Sequence, residues 1–293
     1  MNPTGIVFAV VSWCAVSVFG GSAFGQAVGA GSESAAAQAT TDVGGTTIYA
    51  GLRLWANQWD IGGVQRRAII PDPSKPSLIV LQDTPFKTLS DTKLVPIPFI
   101  AVRAGNFVGS ASYFPRTSYN SNDELLGTVA RDEYDVTLGY AVAPSLILSI
   151  GYKHGFQSKV SGQFSPSGVN VDALLLGVSG SAPIVGTLSL YGNIAYGFAR
   201  DRYDFGDTSG NRNYNGNYQI GEVGVLWRIY ESSEGRALKN VSLSFGYRAQ
   251  NLTTKGVPSA TFALTPTPVV IDVQHKDLST TTDGFVVGIV GSF

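Results

Sequence analysis

The chain has 293 residues, a formal net charge of −1 and only 14% charged residues, against about 25% in typical soluble domains. No Lys/Arg block is available to neutralise phosphates, which excludes a nucleic-acid partner. Mean hydropathy is only +0.12. Beyond the first 20 residues no long apolar run occurs, which excludes a helical membrane protein, whereas 35 Gly, 15 Phe, 13 Tyr and 4 Trp suit a β protein.

Ile6 to Phe19 is mostly apolar, and Gly25-Gln26-Ala27 follows as a small-residue cleavage pattern. The run is short for a bilayer span, so residues 1–27 are expected to be a signal peptide, with a membrane anchor as the alternative. No Lys or Arg precedes the run, a departure from the usual pattern. Trp13 before Cys14 argues against a lipoprotein site, where a small residue is usual. Cys14 is the only cysteine, so the mature chain is expected to lack disulfides, zinc–thiolate sites and cysteine nucleophiles. Residues 28–45 are small and polar and read as a flexible linker.

From Thr46 onward the dominant period is 2, the signature of strands with two unlike faces. In 241–250, Val241, Leu243, Phe245, Tyr247 and Ala249 share one face, and Ser242, Ser244, Gly246, Arg248 and Gln250 share the other. The expected strands are 46–60, 93–104, 106–116, 129–142, 146–157, 170–182, 186–201, 216–230, 241–253 and 281–293. Many reach the length a tilted strand needs to cross a bilayer. Short connections near Gly105, Pro144, Pro183 to Val185 and 231–240 alternate with long ones at 61–92, 117–128, 158–169, 202–215 and 254–280. Membrane barrels keep that rhythm, with short periplasmic turns and long outer loops. The expected fold is therefore all-β over 46–293, a transmembrane antiparallel up-and-down β-barrel of about ten strands, with eight or twelve as alternatives. Pro96 and Pro98 weaken the second strand, because proline gives the ladder no donor; they are expected near the outer rim.

The face opposite the lipid carries Arg53, Arg131, Glu133, Asp135, Lys153, Glu222, Arg228 and Arg248. A ten-stranded barrel is narrow, so these charges line the lumen either as a selectivity filter or ion path or as a structural network of paired charges. Trp55, Trp59, Tyr113, Phe114, Tyr140, Phe156, Phe198, Trp227, Tyr230 and Phe293 lie toward strand ends, where interfacial girdles form. No metal-ligand spacing and no cofactor motif occurs, so none is expected.

The signal-like start, the alternating strands and the terminal FVVGIVGSF together resemble a Gram-negative outer-membrane β-barrel protein of the small porin-like class. In that class the last strand carries an assembly signal; Phe285, Val287, Ile289 and Phe293 match it, and Gly291 departs, since a larger residue is commoner there. The resemblance implies a bacterial outer-membrane location. It also implies outer-membrane lipids, lipopolysaccharide and the barrel-assembly machinery as partners. The implied role is structural, or slow passive passage of small solutes. It leaves the oligomeric state open.

Barrels of this size include omptin-type proteases, so a hydrolase at the outer rim, of omptin or lipid-modifying type, is one alternative. Its candidates are weak. His275 stands in the expected last loop near Asp272 and Asp277, with no convincing opposite acidic pair. His154 falls on the apolar face near the outer end, four residues from Ser158. A second alternative is an adhesin acting through loops 61–92 and 254–280. An enzyme is the less favoured class.

Overall fold

The computed structural model describes residues 45–70, 80–122, 127–159, 168–204, 211–232, 237–257 and 269–293. The expected signal peptide and all but the last residue of the expected linker lie outside the described residues. Ten strands follow one another: β1 (Thr46–Ile70), β2 (Val80–Ala104), β3 (Phe107–Asn120), β4 (Thr128–Ala143), β5 (Leu146–Lys159), β6 (Gly168–Val185), β7 (Leu188–Tyr203), β8 (Asn213–Glu231), β9 (Asn240–Lys255) and β10 (Val269–Ser292). Each pairs antiparallel with its sequence neighbours, and β1 pairs with β10 to close the barrel. This is the up-and-down barrel that the alternation predicts.

Closure removes the open edges that lipid cannot satisfy. At the seam, Tyr49 stands opposite Ser292 and Leu54 opposite Val287. Phe293 N–H donates to Ile48 O at 2.8 Å, and Ile48 N–H donates to Phe293 O at 3.1 Å. The terminal residue is thus locked into the wall rather than frayed.

The near ends of the strands match the expected bounds closely. Gly105 (φ 58°) and Gly186 (φ 54°) make two of the tight turns, since a positive φ costs glycine nothing. The second turn falls after Val185, so Pro183 to Val185, expected as a connection, belong to β6. The outer ends differ more. β1 continues to Ile70, β2 starts at Val80 and β10 starts at Val269, so much of the expected loops 61–92 and 254–280 is strand. Above the membrane the outward face has no lipid to meet, so strand there carries no apolar alternation.

Outward residues make an apolar belt: Leu52, Leu54, Val136, Leu138, Ile150, Leu174, Ile194, Phe245, Phe285, Val287 and Ile289 are all exposed. A contiguous exposed apolar band of this extent has no place in water and is the lipid-facing surface of a membrane barrel. Tyr113, Tyr140, Phe198, Trp227, Tyr230 and Phe293 are exposed on the same outer surface. Trp55, Trp59 and Phe114, expected in the interfacial girdle, are buried in the interior instead. The reason is parity: Trp55 and Trp59 share the odd positions of β1 with Arg53, and residues two apart on a strand share a face.

Candidate functional site: the barrel interior

The fold is that of a transmembrane β-barrel. What it does depends on what fills it, and the interior is layered. Toward the periplasmic end Tyr49, Phe99, Val108, Ile147, Leu226 and Val290 pack as an apolar cluster. Toward the outer end lie two further apolar clusters. One has Trp55, Trp59, Ile97, Phe114 and Tyr119; the other has Leu175, Ala195, Tyr218 and Ile220. Between these layers runs a charged network.

Glu222 of β8 receives Arg53 Nη1 at 3.4 Å and Arg248 Nη1 at 3.3 Å on Oε2, and the Tyr191 hydroxyl at 2.9 Å on Oε1. Arg248 Nη2 stands 4.0 Å from Asp135, and Lys153 Nζ donates to Asp135 at 3.0 Å and to Glu133 at 2.5 Å. Glu133 also pairs with Arg131, which donates to the Thr282 hydroxyl, and accepts from Gln250 Nε2 at 3.3 Å and 3.4 Å. Removing charges from water is unfavourable unless each finds partners. Here every carboxylate faces at least two cations or donors. Two guanidinium groups also cover rings, Arg53 over Phe99 and Arg248 over Trp55, each at 5.4 Å, a further favourable placement for a buried cation.

The positions matter as much as the pairs. β4 and β9 stand on opposite sides of the ring of ten. Glu133 to Gln250 and Asp135 to Arg248 therefore reach right across the lumen. Glycines make the room: a Cβ on Gly246 would lie 2.7 Å from the Tyr191 hydroxyl, and one on Gly288 would lie 2.9 Å from Arg53 Cγ.

Of the eight charged residues singled out in the sequence, Arg53, Arg131, Glu133, Asp135, Lys153, Glu222 and Arg248 join this network. Arg228 does not; it sits at the periplasmic end of β8, 3.1 Å from Glu231. Tyr191, Gln250 and Thr282 join it too. They share the inward parity, which was the signal available for them; being uncharged, they did not stand out. Asn193 buries both its amide atoms, and Gln250 its Oε1, with no hydrogen-bond partner among the described residues, so the interior keeps polar positions suited to ordered water.

Asp201 is a different kind of interior residue. On β7 the outward residue Phe198 is followed by Arg200 and Arg202, so Asp201 lies above the lipid-facing belt. It is fully buried in the neighbourhood of Tyr203, Tyr214 and Val171. Its Oδ2 accepts from the Thr254 hydroxyl, and its Oδ1 has no partner among the described residues. Burial pushes its carboxyl up to about 7, because a desolvated carboxylate without a cation is disfavoured.

The histidines assemble no catalytic set. His154 faces outward, stacks on Tyr134 at 4.9 Å and places Nδ1 2.8 Å from Asp172. Ser158 is instead bound by Arg116 Nη2 at 2.6 Å. His275 belongs not to a loop but to β10, opposite Gln65; its side chain and that of Asp272 lie outside the described residues. Asp277 is in β10 as well, opposite Lys255 and Val64. Among the described residues no group of three His, Cys, Asp or Glu could hold a metal ion.

No protein-family profile matches the chain, and no curated protein matches it. Among solved structures it is similar to the outer-membrane protease OmpT of Escherichia coli, with 11% identity and a TM-score of 0.42 over 87% of this chain and 100% of that one. It is also similar to a FadL homologue of Pseudomonas aeruginosa, at 9% identity and a TM-score of 0.31, covering 88% and 92% of the two chains. The toluene transporter TodX of Pseudomonas putida follows at 8% identity and a TM-score of 0.28, covering 87% and 90%. None of these likenesses assigns an activity to this chain.

Proposed function

We propose that this chain is a closed-lumen barrel of the outer membrane. Its role is structural, and axial passage is limited to slow leakage of water and the smallest solutes. The observation that carries this reading is the contact between opposite walls: Glu133 with Gln250 and Asp135 with Arg248 span the ring at its widest separation. The charges serve as a structural network rather than a selectivity lining, because they are spent on one another. In this reading the surrounding partners are outer-membrane lipids and lipopolysaccharide. The barrel-assembly machinery reads Phe285, Val287, Ile289 and Phe293.

Proteoliposome swelling tests the reading. Vesicles holding the protein should swell in small sugars no faster than empty vesicles. Swelling at the rate of an open general porin would overturn it. The adhesin reading has one observation in its favour: β1, β2 and β10 run on together past the outer ends of the other strands, with Ile69 still paired to both Val80 and Val270. Binding of the protein to host-cell or matrix surfaces, lost on shortening this three-stranded extension, would favour it.

A further inference from the structure

The wall of the barrel is continuous except between β2 and β3. Their ladder runs from Ala104↔Phe107 to Phe99↔Ser112 and then stops. One isolated bridge, Ser90↔Ser121, continues the same register nearer the outer rim. Among the described residues no rung lies between, over a stretch of about 25 Å of strand at about 3.3 Å per residue.

The sequence accounts for the gap. Carrying the register across it places Pro96 opposite Pro115, and neither has an N–H to donate. Pro96 and Pro98 pair through an unbroken ladder with Leu54 and Leu52 of β1. Proline is tolerated in a strand only where its nitrogen faces away from a ladder, so the missing donors face β3. The sequence led us to expect these prolines at the outer rim. They lie instead within the lipid belt, between exposed Leu94 and Ile100. Unpaired backbone facing lipid is otherwise excluded from membrane barrels, so a slot here is a specific feature of this wall.

Side chains close the slot. Above, Asp91 accepts from Asn120 N–H at 2.9 Å and from Asn120 Nδ2 at 2.8 Å, and holds Lys93 at 2.7 Å. Behind it, aromatic residues of β1 reach past β2 to those of β3: Trp55 meets Phe114 edge-on at 6.1 Å, and Trp59 meets Tyr119 at 6.2 Å. Rings turn without breaking a ladder, so this seal is movable where a row of rungs would not be. Arg116 of β3 turns away from the slot, toward Asp132 and Ser158 of the next two strands.

We propose that the slot between β2 and β3 is a lateral portal through which the acyl chain of a membrane amphiphile passes from the lipid to the apolar cluster of Trp55, Trp59, Ile97 and Phe114. The slot opens onto lipid, its length matches an extended acyl chain, the surface behind it is apolar, and the Lys93–Asp91 pair stands at its outer end, where a polar headgroup would rest. The portal is independent of the axial lumen, which stays closed by the charged network.

The test uses dibrominated stearate as a fluorescence quencher of the full chain in detergent micelles. Trp13→Phe and Trp227→Phe leave Trp55 and Trp59 as the only indoles. Pro96→Cys with Pro115→Cys, in a Cys14→Ser background, places a reversible disulfide across the slot, and unheated gel mobility confirms the folded barrel. Saturable quenching in the reduced protein, lost on oxidation and restored on reduction, is expected. Equal quenching in both states, or none in either, overturns the proposal. If the disulfide does not form, Phe114→Ala carries the test: removing the inner seal must raise quenching at a given stearate concentration, and no rise overturns the proposal.

Discussion

Replacing Asp201 by Asn should change how the stability of the barrel depends on pH. Asp201 is buried and, among the described residues, has one hydroxyl partner in Thr254 and no cation on its other oxygen. Its carboxyl is raised from 3.8 to about 7. A difference of about 3 units at about 1.4 kcal/mol each amounts to about 4 kcal/mol. The sign follows from the raised value: this stability is fully present below about pH 4, and it is lost as pH rises through about 7, because the unfolded chain ionises first. Asp201→Asn has the same shape and does not ionise. The free-energy difference between wild type and variant should therefore shift by about 4 kcal/mol in favour of the variant between pH 4 and pH 8. Equilibrium urea unfolding in lipid vesicles, read by unheated gel mobility, measures it at each pH. A difference unchanged between the two pH values would refute the reasoning, and with it the claim that the carboxyl is buried without a counter-ion.

Glu133→Ala leaves Arg131 and Lys153 facing one another without their shared carboxylate; the urea midpoint should fall by the equivalent of about 3–5 kcal/mol. Gly246→Ala puts a Cβ 2.6 Å from Val223 O and 2.7 Å from the Tyr191 hydroxyl. It should destabilise by about 1–3 kcal/mol, and Tyr191→Phe in the same chain should recover only part of it, because the rest of the clash is with backbone. Deleting Phe293 removes both hydrogen bonds to Ile48 and, in the proposed reading, the last element of the assembly signal. The fraction of heat-modifiable protein in isolated outer membranes should fall sharply, and an unchanged fraction would show that the terminal aromatic is dispensable.

Much of this architecture is legible because lipid imposes it. Only the outward face of a spanning strand must be apolar, so Val241 to Gln250 reveals both its period and its faces, and the inward charges are visible by elimination. The same rule places Trp55 inside once Arg53 is inside; reading the two tryptophans as interfacial gave their chemistry precedence over their parity. Strand beyond the belt was not legible at Ile61 to Ile70 or Val269 to Thr280, since nothing there requires alternation. Which charges meet was not legible either. Glu133 and Gln250 are joined by closure of the ring, not by nearness in sequence. The broken β2–β3 ladder is an intermediate case: Pro96 and Pro98 were conspicuous alone, but their meaning needed the register that sets Pro115 opposite.

Single-channel recording in planar bilayers tests the closed lumen most directly. The wild-type barrel should show no conductance steps at neutral pH, while Glu133→Ala combined with Asp135→Ala and Arg248→Ala, which clears the contacts between β4 and β9, should open flickering channels. Steady, uniform conductance steps from the wild type would contradict the account, because side chains meeting across the ring leave no path for ions.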